Sequence, residues 1–287
     1  MTLAQALFLA VLQGVSELFP ISSLGHTILV PAVLGWHNID RSDPTFLAFV
    51  VVLHLGTAIA LLVFYRDEWI AIVKALVASV ARGKLDPANR EESIGWRLVV
   101  GTIPVGILGV ILEAPVRHLF ASPAVAAAFL AVNGGIMFLG EYLRRRERTA
   151  LDRPDIPIEG MSYGQSVLVG LAQSAALLPG ISRSGASIVA GLLCDLDHES
   201  AARYSFLLAT PVILAASLLE IPKLFAPGAH LVAFEAVAGG VLAAIAAYCS
   251  VAFLTRYFKN NDLRPFGWYC LIAGTVCFVL ARMGVIS

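Results

Sequence analysis

Long apolar runs, broken twice by polar loops, set the plan of this chain. Residues 3–35 are interrupted by Gln13-Gly14-Val15-Ser16-Glu17 and then by Phe19-Pro20-Ile21-Ser22-Ser23-Leu24-Gly25-His26. Residues 163–202 are interrupted by Leu178-Pro179-Gly180-Ile181-Ser182-Arg183-Ser184-Gly185-Ala186-Ser187. Neither flank of the first break reaches the roughly 20 apolar residues that cross a bilayer. Two short helices folded back at Pro20 fit that pattern, and Pro179 with Gly180 stops a helix in the same way. Uninterrupted runs predict spans at 46–65, 97–113, 123–143, 203–222, 233–257 and 265–285. After the first of these, Trp69 to Val80 puts Trp69, Ile72, Val73, Leu76 and Val80 on one face, as in a helix lying in the membrane interface.

Sliding the sequence by 160 residues lays Gln5 on Gln165, Gln13 on Gln173, Ile21 on Ile181, Ser22 on Ser182, Gly25 on Gly185, Ile28 on Ile188, and Phe46-Leu47 on Phe206-Leu207. The two broken stretches therefore read as copies of one unit. If each is a hairpin that returns to its own side, each half holds three true spans, and an odd number inverts the second half. The expected architecture is an all-α polytopic membrane protein: six transmembrane helices plus two re-entrant helical hairpins in an inverted-topology repeat. The first repeat covers 1–148 with its hairpin at 3–35. A cytoplasmic linker rich in Asp, Arg and Pro covers 149–162, and the second repeat covers 163–287 with its hairpin at 163–202. The two polar tips would enter from opposite faces and meet near the midplane.

Composition agrees with that plan: 58% of the 287 residues are hydrophobic and 14% charged, and mean hydropathy is +0.81. The formal net charge is zero, so nothing points to nucleic acid. Cys194, Cys249, Cys270 and Cys277 lack metal-site spacing and read as buried free thiols. The first residues lack a basic segment and a small-residue cleavage site, so the first helix is expected to stay with the mature protein. Lys and Arg gather in loops 66–96 (Arg66, Lys74, Arg82, Lys84, Arg90), 144–162 (Arg144, Arg145, Arg146, Arg148, Arg153) and 256–264 (Arg256, Lys259, Arg264). The other side holds only Arg41, Arg117, Lys223 and Arg282. The first set should be cytoplasmic, which places both termini outside.

Arg183 is the most informative residue, because an arginine near a bilayer midplane costs at least about 2.5–3.5 kcal/mol and needs a partner. A structural arginine paired with a carboxylate is the plain alternative. Its flanking serines and glycines favour anion binding. The loop is no Walker A, since Ala186 stands where lysine should be, and Gly180-Ile181-Ser182-Arg183-Ser184 lacks the second glycine of a nucleophile elbow. Gln13 and Glu17 are four apart, so on a helix they share a face and can converge on a ligand or a metal ion. A Glu17–Arg183 pair of purely structural purpose would look identical in sequence. His26 and Ser22-Ser23 lie at the other tip, the serines open to service as nucleophile, phosphate ligand or helix cap. Asn133 and His54, each in mid-span, have a packing role as their first reading.

Together these residues carry a signature. Gln13-x-x-x-Glu17, then Pro20-Ile21-Ser22-Ser23-Leu24-Gly25-His26, then Pro179-Gly180-Ile181-Ser182-Arg183-Ser184-Gly185-Ala186-Ser187 resembles the undecaprenyl-diphosphate phosphatase family of bacterial inner membranes, the bacitracin-resistance type. The likeness spans essentially the whole chain, including Phe206-Leu207-Leu208-Ala209-Thr210-Pro211. It implies hydrolysis of the terminal phosphate of undecaprenyl diphosphate on the outer (periplasmic) side of the membrane with Mg2+ or Ca2+, recycling the lipid carrier of cell-wall sugars. By motif position, Gln13 and Glu17 correspond to the acidic motif, Ser23 and His26 to its serine and histidine, and Ser182, Arg183 and Ser184 to the phosphate loop. Gln13 stands where a second acid is also found, leaving one charged ligand for the ion, and Ser187 replaces the usual Thr.

The expected site thus has Glu17, Ser23, His26 and Arg183 in catalytic roles. Ser22, Gly180, Ser182, Arg183, Ser184, Gly185 and Ser187 would bind the substrate, and Glu17 with Gln13 would hold the ion. His26 is the acid or base of suitable pKa, and the nucleophile is Ser23 or water. Expected partners are the polyprenyl diphosphate and membrane lipid. Oligomeric state stays open, although the runs Ala124–Ala128 and Ala243–Ala247 would permit the close helix packing of a homodimer. The rival reading is a secondary transporter or lipid flippase for a phosphorylated anion, since inverted repeats and broken helices describe transporters as well.

Overall fold

A capping box starts α1 (Leu3–Ser16): the Thr2 hydroxyl accepts from the Gln5 N–H, and the Gln5 side chain accepts from the Thr2 N–H. Ser162 and Gln165 form the same box at α7 (Tyr163–Gln173). The return helices α2 (Ser23–Val33) and α8 (Arg183–Leu193) keep the offset, each capped by the serine before it. Ser22 Oγ accepts from Gly25 N at 3.2 Å, and Ser182 Oγ accepts from Gly185 N at 3.1 Å. Local chemistry therefore builds two like helix pairs, each folded around a polar tip.

The computed structural model describes residues 1–36, 38–39, 44–116, 122–151, 154–220 and 233–286. Around the two hairpins stand α3 (Pro44–Phe64), α4 (Arg66–Arg82), α5 (Arg90–Val116), α6 (Pro123–Leu151), α9 (His198–Glu220), α10 (Ala233–Tyr257) and α11 (Arg264–Arg282). Among the described residues five helices are long and apolar enough to cross a membrane, in α5, α6, α9, α10 and α11. The α3–α4 pair, bent by 84°, makes a sixth if taken as one span. Of the loop charges counted above, Arg41, Arg117, Arg153 and Lys223 lie outside the described residues.

The single apolar face expected for α4 is in fact divided. Ile72 and Ala75 are buried with Leu76 packed beside them, whereas Ile70, Val73, Val77 and Val80 form a separate exposed stripe. The reason is Gly95 of α5, which brings that helix against Ile72 and Leu76. The cysteines are all free, as expected, but Cys249 is exposed and Cys277 only half-buried.

Packing then seats the hairpins. The return helix α8 is buried from Ser184 to Leu192, between α6, α7 and α9. α1 lies on α10 and α3, where Ala6, Leu9 and Ala10 meet Phe49, Leu53 and Ala243. The small-residue runs are occupied inside the chain: Ala126 lies under Gly180 and Ala243 under Gly14. The segment after α6 is packed too, with Ile158 and Met161 buried and Arg97 Nε donating to Met161 O at 2.5 Å. At that end Glu141 Oε1 accepts from His198 Nε2 at 2.7 Å and from Leu263 N at 3.0 Å, tying α6 to the starts of α9 and α11.

Candidate active site

The two tips touch. A Cβ on Gly25 would lie 3.1 Å from Gly180 Cα, so the loops approach as closely as two glycines allow. Ser184 Oγ donates to Phe19 O at 3.1 Å. Asn133 of α6, fully buried, joins both: Nδ2 donates to Pro20 O at 3.0 Å, and Oδ1 accepts from Ser182 N at 3.0 Å. It was expected only to pack, and a lone amide in an apolar run gives no sign of which loops it reaches. Ser22 holds φ +70, a conformation L-residues rarely adopt and which costs about 1–3 kcal/mol. Its consequence is a turn tight enough to start α2 at Ser23, beside Glu17.

Glu17 and Arg183 meet across this junction, Nη2 donating to Oε1 at 3.1 Å with side chains only 8% and 10% exposed. The other carboxylate oxygen, Oε2, accepts from Gln13 Nε2 at 3.1 Å and from Ser23 Oγ at 2.5 Å. His54 of α3 joins from the side, its Nε2 3.5 Å from Glu17 Oε2. Arg183 Nη1 reaches Ser205 O at 3.5 Å, while Arg183 Nε is buried and has no partner among the described residues. A buried N–H without an acceptor is rare and is a donor waiting for an oxygen that the protein does not supply.

The remaining expected residues divide by what they contact. Ser22 and Ser182 cap the return helices, and Ser182 Oγ lies 3.1 Å from Ser184 Oγ. Ser187 Oγ donates to Arg183 O at 2.8 Å and pairs with Ser205 Oγ at 2.6 Å, so it braces the arginine's own turn. Gly180, at φ +104, makes the sharp turn before the loop, and Gly185 sits against Asn133 and Pro20. His26 is drawn to α11: Nδ1 lies 2.7 Å from Ser22 O, and Nε2 lies 2.6 Å from Tyr269 Oη with the rings stacked. A carbonyl only accepts, so Nδ1 carries the hydrogen and Nε2 accepts from the tyrosine hydroxyl. His54, Ser205 and Tyr269 were missed or read as packing because they stand on spans remote in sequence from both motifs.

Glu17 Oε2 gathers the Gln13 amide nitrogen and Ser23 Oγ, each donating to it. Among the described residues no group of three or more His, Cys, Asp or Glu could hold a metal. That donor set fits Mg2+ or Ca2+ shared with a phosphorylated ligand, because such ions accept neutral oxygens and Mg2+ needs only one or two carboxylates beside substrate phosphates and water.

The sequence family described as bacitracin resistance protein BacA matches residues 6–276 of this chain. An undecaprenyl-diphosphatase 1 of Burkholderia pseudomallei is 48% identical over 278 residues, covering 96% of each chain. An undecaprenyl-diphosphatase of Acidiphilium cryptum is 45% identical over 294 residues, covering 99% of this chain and 100% of the relative. An undecaprenyl-diphosphatase 2 of Burkholderia ambifaria is 47% identical over 275 residues, covering 96% of this chain and 95% of the relative.

Proposed function

This chain belongs to the bacitracin resistance protein BacA family and is an undecaprenyl-diphosphatase, a multi-pass membrane phosphatase, and on that premise we propose how its two hairpins carry the reaction. The observation behind the proposal is that one carboxylate is reached at the same time by an arginine from one hairpin and by a serine hydroxyl from the other. The diphosphate sits beside the Glu17–Arg183 pair, on the side of the arginine's Nε. Arg183 Nε and the free N–H groups opening α8 take phosphoryl oxygens, since a helix N-terminus and a guanidinium both favour an anion. Those donors are preorganised for charge that grows on the equatorial oxygens as the terminal phosphoryl group transfers.

Ser23 Oγ attacks the terminal phosphorus, and its proton passes to the Glu17 carboxylate, with which it already shares a 2.5 Å hydrogen bond. The bond from that phosphorus to the bridging oxygen breaks, and undecaprenyl phosphate leaves with the electron pair. Water then attacks the phosphoserine phosphorus, Ser23 recovers a proton from Glu17, and inorganic phosphate departs. Glu17 with Gln13 would hold Mg2+ or Ca2+, which when bound supplies positive charge against the leaving phosphate. His26, hydrogen-bonded to Tyr269, serves proton exchange at Nε2.

The topology belongs to the same proposal. Residues 1–148 and 163–287 form two inverted repeats joined by the 149–162 linker, the hairpins entering the bilayer from opposite sides. The paired capping boxes and paired serine caps support the repeat. Loops rich in Lys and Arg face the cytoplasm, which leaves the site open to the periplasmic side of the inner membrane. The polyprenyl tail lies in lipid alongside the spans.

Phosphate release from undecaprenyl diphosphate by the purified protein in detergent, with no membrane gradient, is the test. Turnover should be lost in Ser23→Ala and Glu17→Gln. Undiminished turnover in Ser23→Ala would move the attack to water, and undiminished turnover in Glu17→Gln would end the proposed site.

A further inference from the structure

His54 stands beside Glu17 although nothing in its sequence neighbourhood marks it. Its Nδ1 lies 2.8 Å from Val50 O, one turn back on α3. A carbonyl only accepts, so Nδ1 bears the ring hydrogen, and the Nε2 of the neutral ring offers a lone pair. That atom is 3.5 Å from Glu17 Oε2, beyond the range of a good hydrogen bond. The separation is close to that of two ligands of one cation: an ion about 2.1 Å from each, at tetrahedral or octahedral angles, leaves them about 3.0–3.4 Å apart. Anchoring the other ring nitrogen on a backbone carbonyl is also how metal-bound imidazoles are commonly oriented.

Backbone packing sets this spacing. Both α1 and α3 rest on α10 at glycines, where a Cβ on Gly14 would come 2.3 Å from Ala243 O and one on Gly56 would come 2.3 Å from Gly240 O. Gly240 and Ala243 are one turn apart on α10, so that helix gauges the distance between Glu17, just past Gly14, and His54, just before Gly56. The His54 side chain is 27% exposed against 8% for Glu17, so it lies at the outer edge of the cluster.

We propose that His54, through Nε2, is a ligand of the divalent cation that Glu17 and Gln13 hold. The inference rests on the reading of Glu17 as the anchor of that ion. It completes a mixed set of one imidazole nitrogen, one carboxylate and the Ser23 hydroxyl, joined by the Gln13 oxygen once that amide turns over from the Nε2 contact it makes with Glu17, with the diphosphate filling the remaining positions. A nitrogen ligand shifts preference away from Ca2+ and toward transition-metal ions, Zn2+ among them.

Mn2+ is the probe: the purified full-length chain in detergent is titrated with it, and the bound ion is read by electron spin-echo envelope modulation. The wild type should show modulation from a coordinated 14N nucleus, converted to the 15N pattern when its histidines are 15N-labelled. His54→Gln should lose that modulation and bind Mn2+ about 10-fold or more weakly. Bound Mn2+ without histidine-nitrogen modulation, which the labelled wild type alone decides, overturns the inference and leaves Glu17 as anchor. Modulation that survives in His54→Gln overturns it likewise. Failure of the wild type to bind Mn2+ at all overturns both this inference and the reading beneath it.

Discussion

Arg183 and Glu17, 166 residues apart in the chain, meet at 3.1 Å although each belongs to a different hairpin. Were this a closed structural bridge, the guanidinium would spend its donors on the protein, yet Nε is buried without a partner among the described residues. Arg183→Lys separates the two roles, because lysine keeps the charge that faces Glu17 but loses the planar fork. Its kcat/KM should fall by about 10²-fold or more, with a thermal midpoint close to wild type. A lysine variant with wild-type kcat/KM would show that only charge is needed there.

Asn133 links Pro20 O to Ser182 N, so Asn133→Leu leaves Ser182 N without its acceptor and Pro20 O with only the 3.8 Å contact from Cys270 Sγ. The expected loss is about 2–5 kcal/mol of stability, seen as a lower unfolding midpoint in detergent, together with weaker turnover because the two loops lose their register. An unchanged midpoint would mean that the tips are held together by other contacts.

Among the described residues Tyr269 meets the site at His26. Tyr269→Phe removes a single hydroxyl from a 2.6 Å hydrogen bond and should lower kcat by about 10-fold, within the range ascribed to acid–base groups. In a double-mutant cycle, His26→Ala with Tyr269→Phe should cost no more than His26→Ala alone. Additive losses would separate the two residues.

Glu141 offers a contrast far from the tips. Glu141→Ala strands the buried donors of His198 Nε2 and Leu263 N and should destabilise by about 3–5 kcal/mol. Turnover per folded molecule should remain within about twofold of wild type. A selective fall in kcat at unchanged stability would tie this end of the bundle to the chemistry.

Much of this was readable before any coordinates. The repeat of polar tips at a constant offset led to the expectation of two like hairpins, and the expense of an intramembrane charge left Glu17 to a cation, to Arg183 or to a proton, of which the structure shows the contact with Arg183. What could not be read was the third dimension of the spans. His54, Asn133, Ser205 and Tyr269 are single polar residues in apolar helices, and hydropathy says nothing of which face a residue occupies or which helix that face meets. The division of α4 into two apolar stripes was hidden for the same reason: one stripe faces α5 only because Gly95 permits the approach. Likewise, the small-residue runs that would suit contact between copies are used within one chain, against Gly14 and Gly180.

The central claim is that both hairpins contribute to a single diphosphate site. Inorganic phosphate released from undecaprenyl diphosphate by folded Arg183→Ala, compared with wild type in the same detergent, tests it most directly. The account predicts a loss of about 10³-fold or more, in line with removing a preorganised donor and a charge from the transferring group. Release at the wild-type rate would contradict it.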